Sequence, residues 1–187
     1  MIVWIDGTFG VGKTTISNAL NKGLQESEVI DFDEYVKGVQ PDNSMGLIFG
    51  KRYPEAKRCY IDALVVELER KLTQDDKRVY IVPIALITDY CRVRLVEYFM
   101  NITETAHIIL GISKEKLLYR IRNQVGRDDD LAITYYEEAT KYLNNNYLDA
   151  IRIDTDYMEI KDIVCHLEKI ITDWGQDYAK ILHGSRL

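Results

Sequence analysis

Continuous apolar runs alternate along the chain with stretches whose apolar residues recur every three or four positions. Ile2 to Ile5 is a β-branched and aromatic run. It predicts a strand buried on both faces, as in a parallel sheet. Ile16, Ala19, Leu20 and Leu24 then recur at helical spacing, predicting a helix from about Lys13 to Leu24. Val29 and Ile30 mark a short second strand that ends in Asp31-Phe32-Asp33. Residues 37–54, punctuated by Gly38, Pro41, Gly46, Gly50 and Pro54, read as an insertion without regular pattern. Glu55 to Leu72 is helical, with Leu64, Leu68 and Leu72 on one face, and Val79 to Ile87 is the strongest strand pattern. Pro83 inside that strand cannot donate to a ladder, so a bulge or a strand end is expected there.

The alternation continues to the C-terminus. A short helix is expected over Tyr90 to Phe99, and a fourth strand over His107 to Leu110. Ser113 is placed to cap a helix carrying Leu117, Leu118 and Ile121. Asn123 to Leu131 reads as a polar loop, and Ala132 to Leu143 as a helix stopped by Asn144 to Asn146. Ala150 to Ile153 is a fifth strand. Asp156 and Glu159 have capping-box spacing before the amphipathic face Ile160, Ile163, Val164, Leu167, Ile170 and Ile171. Residues 174–187 form a polar tail with Trp174 and Tyr178. Strands alternating with helices predict a parallel α/β sheet covered on both faces, reached by right-handed crossovers.

Length adds that the 187 residues form one domain with no dividing linker. The net charge of -6 argues against a non-specific nucleic-acid binder. Cys59, Cys91 and Cys165 are scattered and odd in number, which suggests reduced thiols rather than a disulfide framework or a zinc site. His107 and His166 fall in a strand-like and a helix-like run and read as structural. No apolar stretch approaches the roughly 20 residues that span a bilayer. With no leader pattern at residues 1–6, the expectation is a soluble, cytoplasmic protein.

The chemistry begins with Gly7-Thr8-Phe9-Gly10-Val11-Gly12-Lys13-Thr14, which matches G-x-x-x-x-G-K-[ST] in full between a strand and a helix. The glycines let the backbone fold into a nest of inward-pointing amides. The following helix N-terminus adds unpaired donors and partial positive charge. Lys13 is expected to reach the β- and γ-phosphates of ATP, Thr14 to bind magnesium through its hydroxyl, and Thr15 to support the α-phosphate. The dinucleotide fingerprint G-x-G-x-x-G does not fit this loop.

Asp31 and Asp33 stand beyond the carboxyl end of the second strand, where doubly wound sheets bind ligands. Alternation along an extended segment would point both side chains the same way. One is then expected to hold magnesium, with Asp31 the candidate ligand, and the other to orient an attacking hydroxyl. The alternative is a solvated acidic turn that includes Glu34. Arg120, Arg122 and Arg127 are candidates to clamp a transferring phosphoryl group. Arg120 is the expected nucleotide contact, and Arg127 the residue of a lid spanning 121–131. The alternative is ion pairing with Asp128 to Asp130 on a solvated face. Asp89 is a weaker candidate magnesium ligand after the strong strand. Lys51, Arg52, Lys57 and Arg58 form a basic cluster suited either to an anionic acceptor or to a solvated helix start.

With these residues in place, the chain resembles small P-loop kinases of the shikimate-kinase, nucleotide-kinase and chloramphenicol-phosphotransferase group. More narrowly, it resembles the tunicamycin-resistance ATP-binding protein family. The resemblance rests on Ile2 to Thr14, Val29-Ile30-Asp31, Tyr53-Pro54, Ile81-Val82-Pro83, Ser113-Lys114-Glu115 through Arg120, and Asp154-Thr155-Asp156. It implies a three-layer α/β/α P-loop NTPase fold with a parallel five-stranded sheet, ATP and magnesium as cofactors, and a link to antibiotic resistance. In the shikimate-kinase-like relatives an Asp-x-Asp after the second strand binds magnesium and substrate, which Asp31 and Asp33 match. A basic residue on the helix before the lid contacts nucleotide, which Arg120 matches. The relatives' paired lid arginines are incomplete around Arg127.

The expected function is a kinase transferring the γ-phosphoryl of ATP to a small-molecule acceptor, with residues 37–58 as the acceptor-binding insertion. The rival is an ATP-dependent sequestering resistance protein with slow ATPase activity and no phosphoryl acceptor. A nucleic-acid-stimulated ATPase is disfavoured by the acidic balance.

Overall fold

The computed structural model describes residues 1–33, 53–123 and 130–184, and their side chains except at 53–57, 130–131 and 175–184. Of the lid expected over 121–131, residues 124–129 with Arg127 lie outside the described residues, as do residues 37–52 of the insertion expected over 37–58, with Lys51 and Arg52.

Five strands form one sheet in the order β2-β3-β1-β4-β5. They are β1 (Ile2–Gly7), β2 (Ser27–Val29), β3 (Val79–Pro83), β4 (Thr105–Gly111) and β5 (Ile151–Asp154). Every pairing is parallel, as the continuous apolar runs implied. The first strand lies at the centre, with Ile5 opposite both Pro83 and Ile108. Pro83 is the last residue of β3, which is how the sheet tolerates it; the strand expected to reach Ile87 leaves the ladder after Ile84 N donates to Ile5 O.

Helices cover both faces. They are α1 (Lys13–Gly23), α2 (Tyr53–Gln74), α3 (Asp89–Cys91), α4 (Tyr98–Met100), α5 (Lys114–Arg122), α6 (Asp130–Asn146) and α7 (Ile160–Gly184). A π-helical turn, Arg92–Glu97, joins α3 to α4. On β1 the period-two alternation divides the core. Ile2 and Trp4 join Leu64, Leu68, Leu95, Phe99 and Tyr147 on one face. Val3 and Ile5 join Ile16, Leu20, Leu117, Ile163 and Leu167 on the other. Each such fully buried apolar side chain stabilises by about 1.5–3 kcal/mol relative to exposure. A central strand with four of them at 0% exposure is therefore a firm platform for the loop it launches.

Several boundaries differ from expectation for local reasons. The Asn144 to Asn146 run does not stop α6 early; it lies in the last turn, where Asn146 Nδ2 donates to Tyr142 O and Asn144 Oδ1 accepts from Arg152. The tail from Trp174 continues α7 to Gly184. Ser113 caps α5 as expected, its Oγ accepting from Lys116 N at 3.2 Å. Asp156 does not cap its own helix. Its Oδ1 instead accepts from Ser113 N at 2.8 Å, tying the end of β5 to the start of α5. Among the described residues no helix is long and apolar enough to cross a membrane.

Candidate functional site

The phosphate loop leaves β1 at Gly7 and enters α1 at Lys13. Gly7 has φ 144°, and a Cβ there would fall 2.7 Å from Leu110 O and 2.9 Å from Val11 Cγ1. Gly12 has φ 106° and forms the N-cap of α1 in left-handed conformation. No side chain caps that end, and no acidic residue occupies its first turn. The leading amides and the positive pole of α1 thus open toward the concave side of the loop. Lys13 Nζ donates to Gly7 O and to Thr8 O, both at 3.0 Å, and lies 5.6 Å from the Phe9 ring centroid. The ammonium therefore sits across the mouth of the loop. Thr14 and Thr15 are exposed on the first turn of α1. Thr8 is buried, and its hydroxyl has no hydrogen-bond partner among the described residues.

Two further elements hold the loop. Phe9 meets Tyr135 of α6 edge-on, with centroids 6.4 Å apart. Arg120 of α5 donates to Val11 O at 3.0 Å, to Thr155 O at 2.7 Å and to Thr155 Oγ1 at 3.4 Å. Thr155 is itself anchored, its Oγ1 donating to Gly111 O at 2.9 Å. Between these groups lies a cavity of about 250 Å³ bounded by Gly10, Val11, Thr15, Arg120, Thr155 and Met158, with Ile160 and Ile163 beneath. An apolar floor with one guanidinium at its rim suits a flat heteroaromatic ring.

Beneath the loop is a buried polar network. Asp6, 0% exposed, accepts from Gly7 N at 2.6 Å and from Leu86 N at 3.0 Å through Oδ1, and its Oδ2 lies 3.0 Å from His107 Nε2. The His107 ring meets Tyr147 edge-on at 4.5 Å. The Tyr147 hydroxyl donates to Leu86 O at 2.8 Å, and burial, followed by the Asp6 charge, pushes its pKa well above the usual tyrosine range. Tyr147→Phe should leave the Leu86 carbonyl unsatisfied and cost about 1–3 kcal/mol in a urea unfolding titration. A loss below a few tenths of that would show the contact to be incidental.

The carboxylates after β2 are not on an extended segment. The ladder ends with Ile30 N donating to Ile81 O, and Phe32 and Asp33 begin a helical turn. Asp31 Oδ1 accepts from Asp33 N at 3.0 Å, as a cap does, while Phe32 is buried in the core between them. The expectation that strand alternation aligns the two carboxylates is therefore corrected: Asp31 is half-buried at the base of the turn and Asp33 is exposed. Both still lie beyond the carboxyl edge of the parallel sheet, the edge that carries the phosphate loop.

Asp89 is engaged by other groups, accepting from the Tyr142 hydroxyl at 2.8 Å and lying 3.7 Å from Arg92 Nε. Arg58 stacks on the Tyr90 ring at 5.1 Å, and Tyr90 bonds both oxygens of Asp62. That bond, with Arg94 Nε at 3.0 Å, holds the Asp62 carboxyl below the usual carboxylate range. Sequence reasoning passed over Asp6 and Thr155. The signal for Asp6 was an acid at the end of a wholly apolar strand, where only a bonded charge survives burial. Thr155 gave none beyond its place after β5.

Against known proteins, no family model matches the chain, and no curated protein matches its sequence. Solved structures do match. The tunicamycin resistance protein of Deinococcus radiodurans superposes with a TM-score of 0.67 at 20% identity, covering 91% of this chain and 94% of that one. The fold is that of the P-loop kinases. Shikimate kinase from Bacteroides thetaiotaomicron matches with a TM-score of 0.65 at 19% identity, covering 92% of this chain and 98% of its own. A gluconokinase from Sinorhizobium meliloti matches with 0.58 at 14%, covering 99% and 97%. In this chain the glycine-rich loop leaves the carboxyl end of the central strand β1 and leads into α1.

Proposed function

We propose that the chain is an ATP-dependent phosphotransferase that moves the γ-phosphoryl group of ATP to a hydroxyl or phosphate of a small molecule. The observation that carries the reading is the phosphate loop: left-handed Gly12 opens α1 without a side-chain cap, and the Lys13 ammonium stands over the nest. In this reading Lys13 takes the β- and γ-phosphates, and the loop amides between Phe9 and Thr14, with Thr15, cradle the chain of phosphates, while the Gly7 amide stays on Asp6 beneath them. The cavity beside Arg120 takes the base. Because the Arg120 guanidinium is engaged at Val11 and Thr155, its role falls on the nucleoside side rather than at the transferring group. Arg127 is assigned to the lid.

The donors present fit magnesium. Among the described residues no three acidic, imidazole or thiol groups converge into a cage. In phosphoryl-transfer sites magnesium is held by one or two protein oxygens together with the phosphates, where it neutralises developing charge. The Thr14 hydroxyl and the Asp31 carboxylate would supply those oxygens, and Asp33 would orient the acceptor hydroxyl. The likeness to a tunicamycin resistance protein supports an acceptor of antibiotic or aminosugar type, and a role in resistance.

The test is to incubate the protein with γ-labelled ATP, magnesium and a panel of sugars, nucleosides, aminocyclitols and tunicamycin. ADP release that depends on one acceptor class, with label on that acceptor, is the expected result. Nucleotide binding with the same slow ADP release for every acceptor would replace the kinase by an ATP-dependent sequestering protein.

A further inference from the structure

A buried carboxylate persists where its oxygens are well bonded, and bonds to a charged acceptor are about twice as strong as neutral ones. The partners of Asp6 come from three parts of the fold. Gly7 opens the phosphate loop. Leu86 belongs to the buried segment that follows β3 at the carboxyl edge of the sheet. His107 lies on β4, across β1 from that segment. Gly7 N and Leu86 N share a single oxygen, Oδ1, so the placing of either amide constrains the other. The Tyr147 hydroxyl on Leu86 O and the His107 ring against Tyr147 keep the far side of this link in place.

We propose that Asp6 is a positioning residue that couples the phosphate loop to the segment after β3, so that nucleotide bound in the loop alters the environment of Leu86. The inference rests on the phosphate-loop reading above. Lys13 Nζ now bonds Gly7 O and Thr8 O. The β-phosphate of a bound nucleotide draws the ammonium toward itself and releases those carbonyls, and Gly7, at φ 144° and with no Cβ, has room for a small reorientation only. Its amide then shifts on Asp6 Oδ1, and the Leu86 amide on the same oxygen follows. Binding linkage is reciprocal, so an acceptor that orders the segment after β3 raises nucleotide affinity through the same carboxylate.

The test uses protein labelled with ¹⁵N-leucine, titrated with magnesium-ADP in wild-type, D6N, D6S and D6A forms, reading the Leu86 amide by NMR and affinity by calorimetry. Asparagine presents an oxygen where Oδ1 stands, so D6N should keep the Leu86 shift. Serine reaches one neighbour but not both, so D6S should lose the shift and bind ADP about 2- to 30-fold more weakly. D6A should behave like D6S, and D6S decides the matter if D6A fails to fold. A D6S protein with a lowered melting temperature but the full ADP-induced Leu86 shift would overturn the inference and leave Asp6 merely structural. So would wild-type protein that binds ADP with Leu86 unmoved. Absence of any ADP binding by wild type would instead overturn the phosphate-loop reading, and the inference with it.

Discussion

Lys13→Ala should lower affinity for magnesium-ATP by roughly 100- to 1,000-fold while leaving the protein folded. Two charge-assisted contacts to phosphate oxygens contribute together about 3–4 kcal/mol, which is that factor in affinity. The fold gives up little, because the ammonium and its bonds to the Gly7 and Thr8 carbonyls are only part-buried. Lys13→Arg should not rescue binding. A planar fork is wider than an ammonium and cannot sit between Gly7 O and Thr8 O while also meeting the phosphates. Calorimetry of all three proteins, with circular dichroism to confirm folding, reads the outcome. Affinity within about threefold of wild type in Lys13→Ala would remove Lys13 from the site.

Arg120→Ala should strike stability and nucleotide binding together. The guanidinium joins α5, the loop at Val11 and the turn after β5 at Thr155. Hydrogen bonds to a charged donor contribute about 1.5–3 kcal/mol each, discounted here by partial exposure, so a loss of about 2–4 kcal/mol is expected in urea unfolding. ADP affinity should fall by roughly 10- to 100-fold because the wall of the cavity beside Met158 goes slack. Arg120→Lys should recover part of the stability, since an ammonium can meet Thr155 O but not also Val11 O. If ADP binds Arg120→Ala as tightly as wild type at a temperature where both are folded, the cavity is not the base site.

Much of this architecture was legible in the sequence, and the parts that were not share a cause. Ile2 to Ile5 announced a doubly buried parallel strand, and the glycines and Lys13 announced the loop, because local backbone demands and burial are written in residue type. The reach of β3 was misjudged, but its interruption at Pro83 was readable, since proline has no amide for any ladder. What local pattern did not reveal was partnership at a distance. Asp156 has the spacing of a cap yet gives its carboxylate to Ser113, 43 residues earlier. Asp31 and Asp33 look like an alternating pair, but Phe32 is pulled into the core and turns the segment into a helix start. Asp6 and His107 are 101 residues apart and meet only because β1 and β4 are neighbours. Tertiary contact decided each of these cases over a correct local rule.

The most direct measurement is a calorimetric titration of the wild-type protein with a non-hydrolysable ATP analogue and magnesium. The account predicts saturable binding at one site per chain, displaced by ADP and weakened roughly 100-fold or more in Lys13→Ala. No heat from the analogue, from ADP or from ATP, with the protein folded, would contradict it.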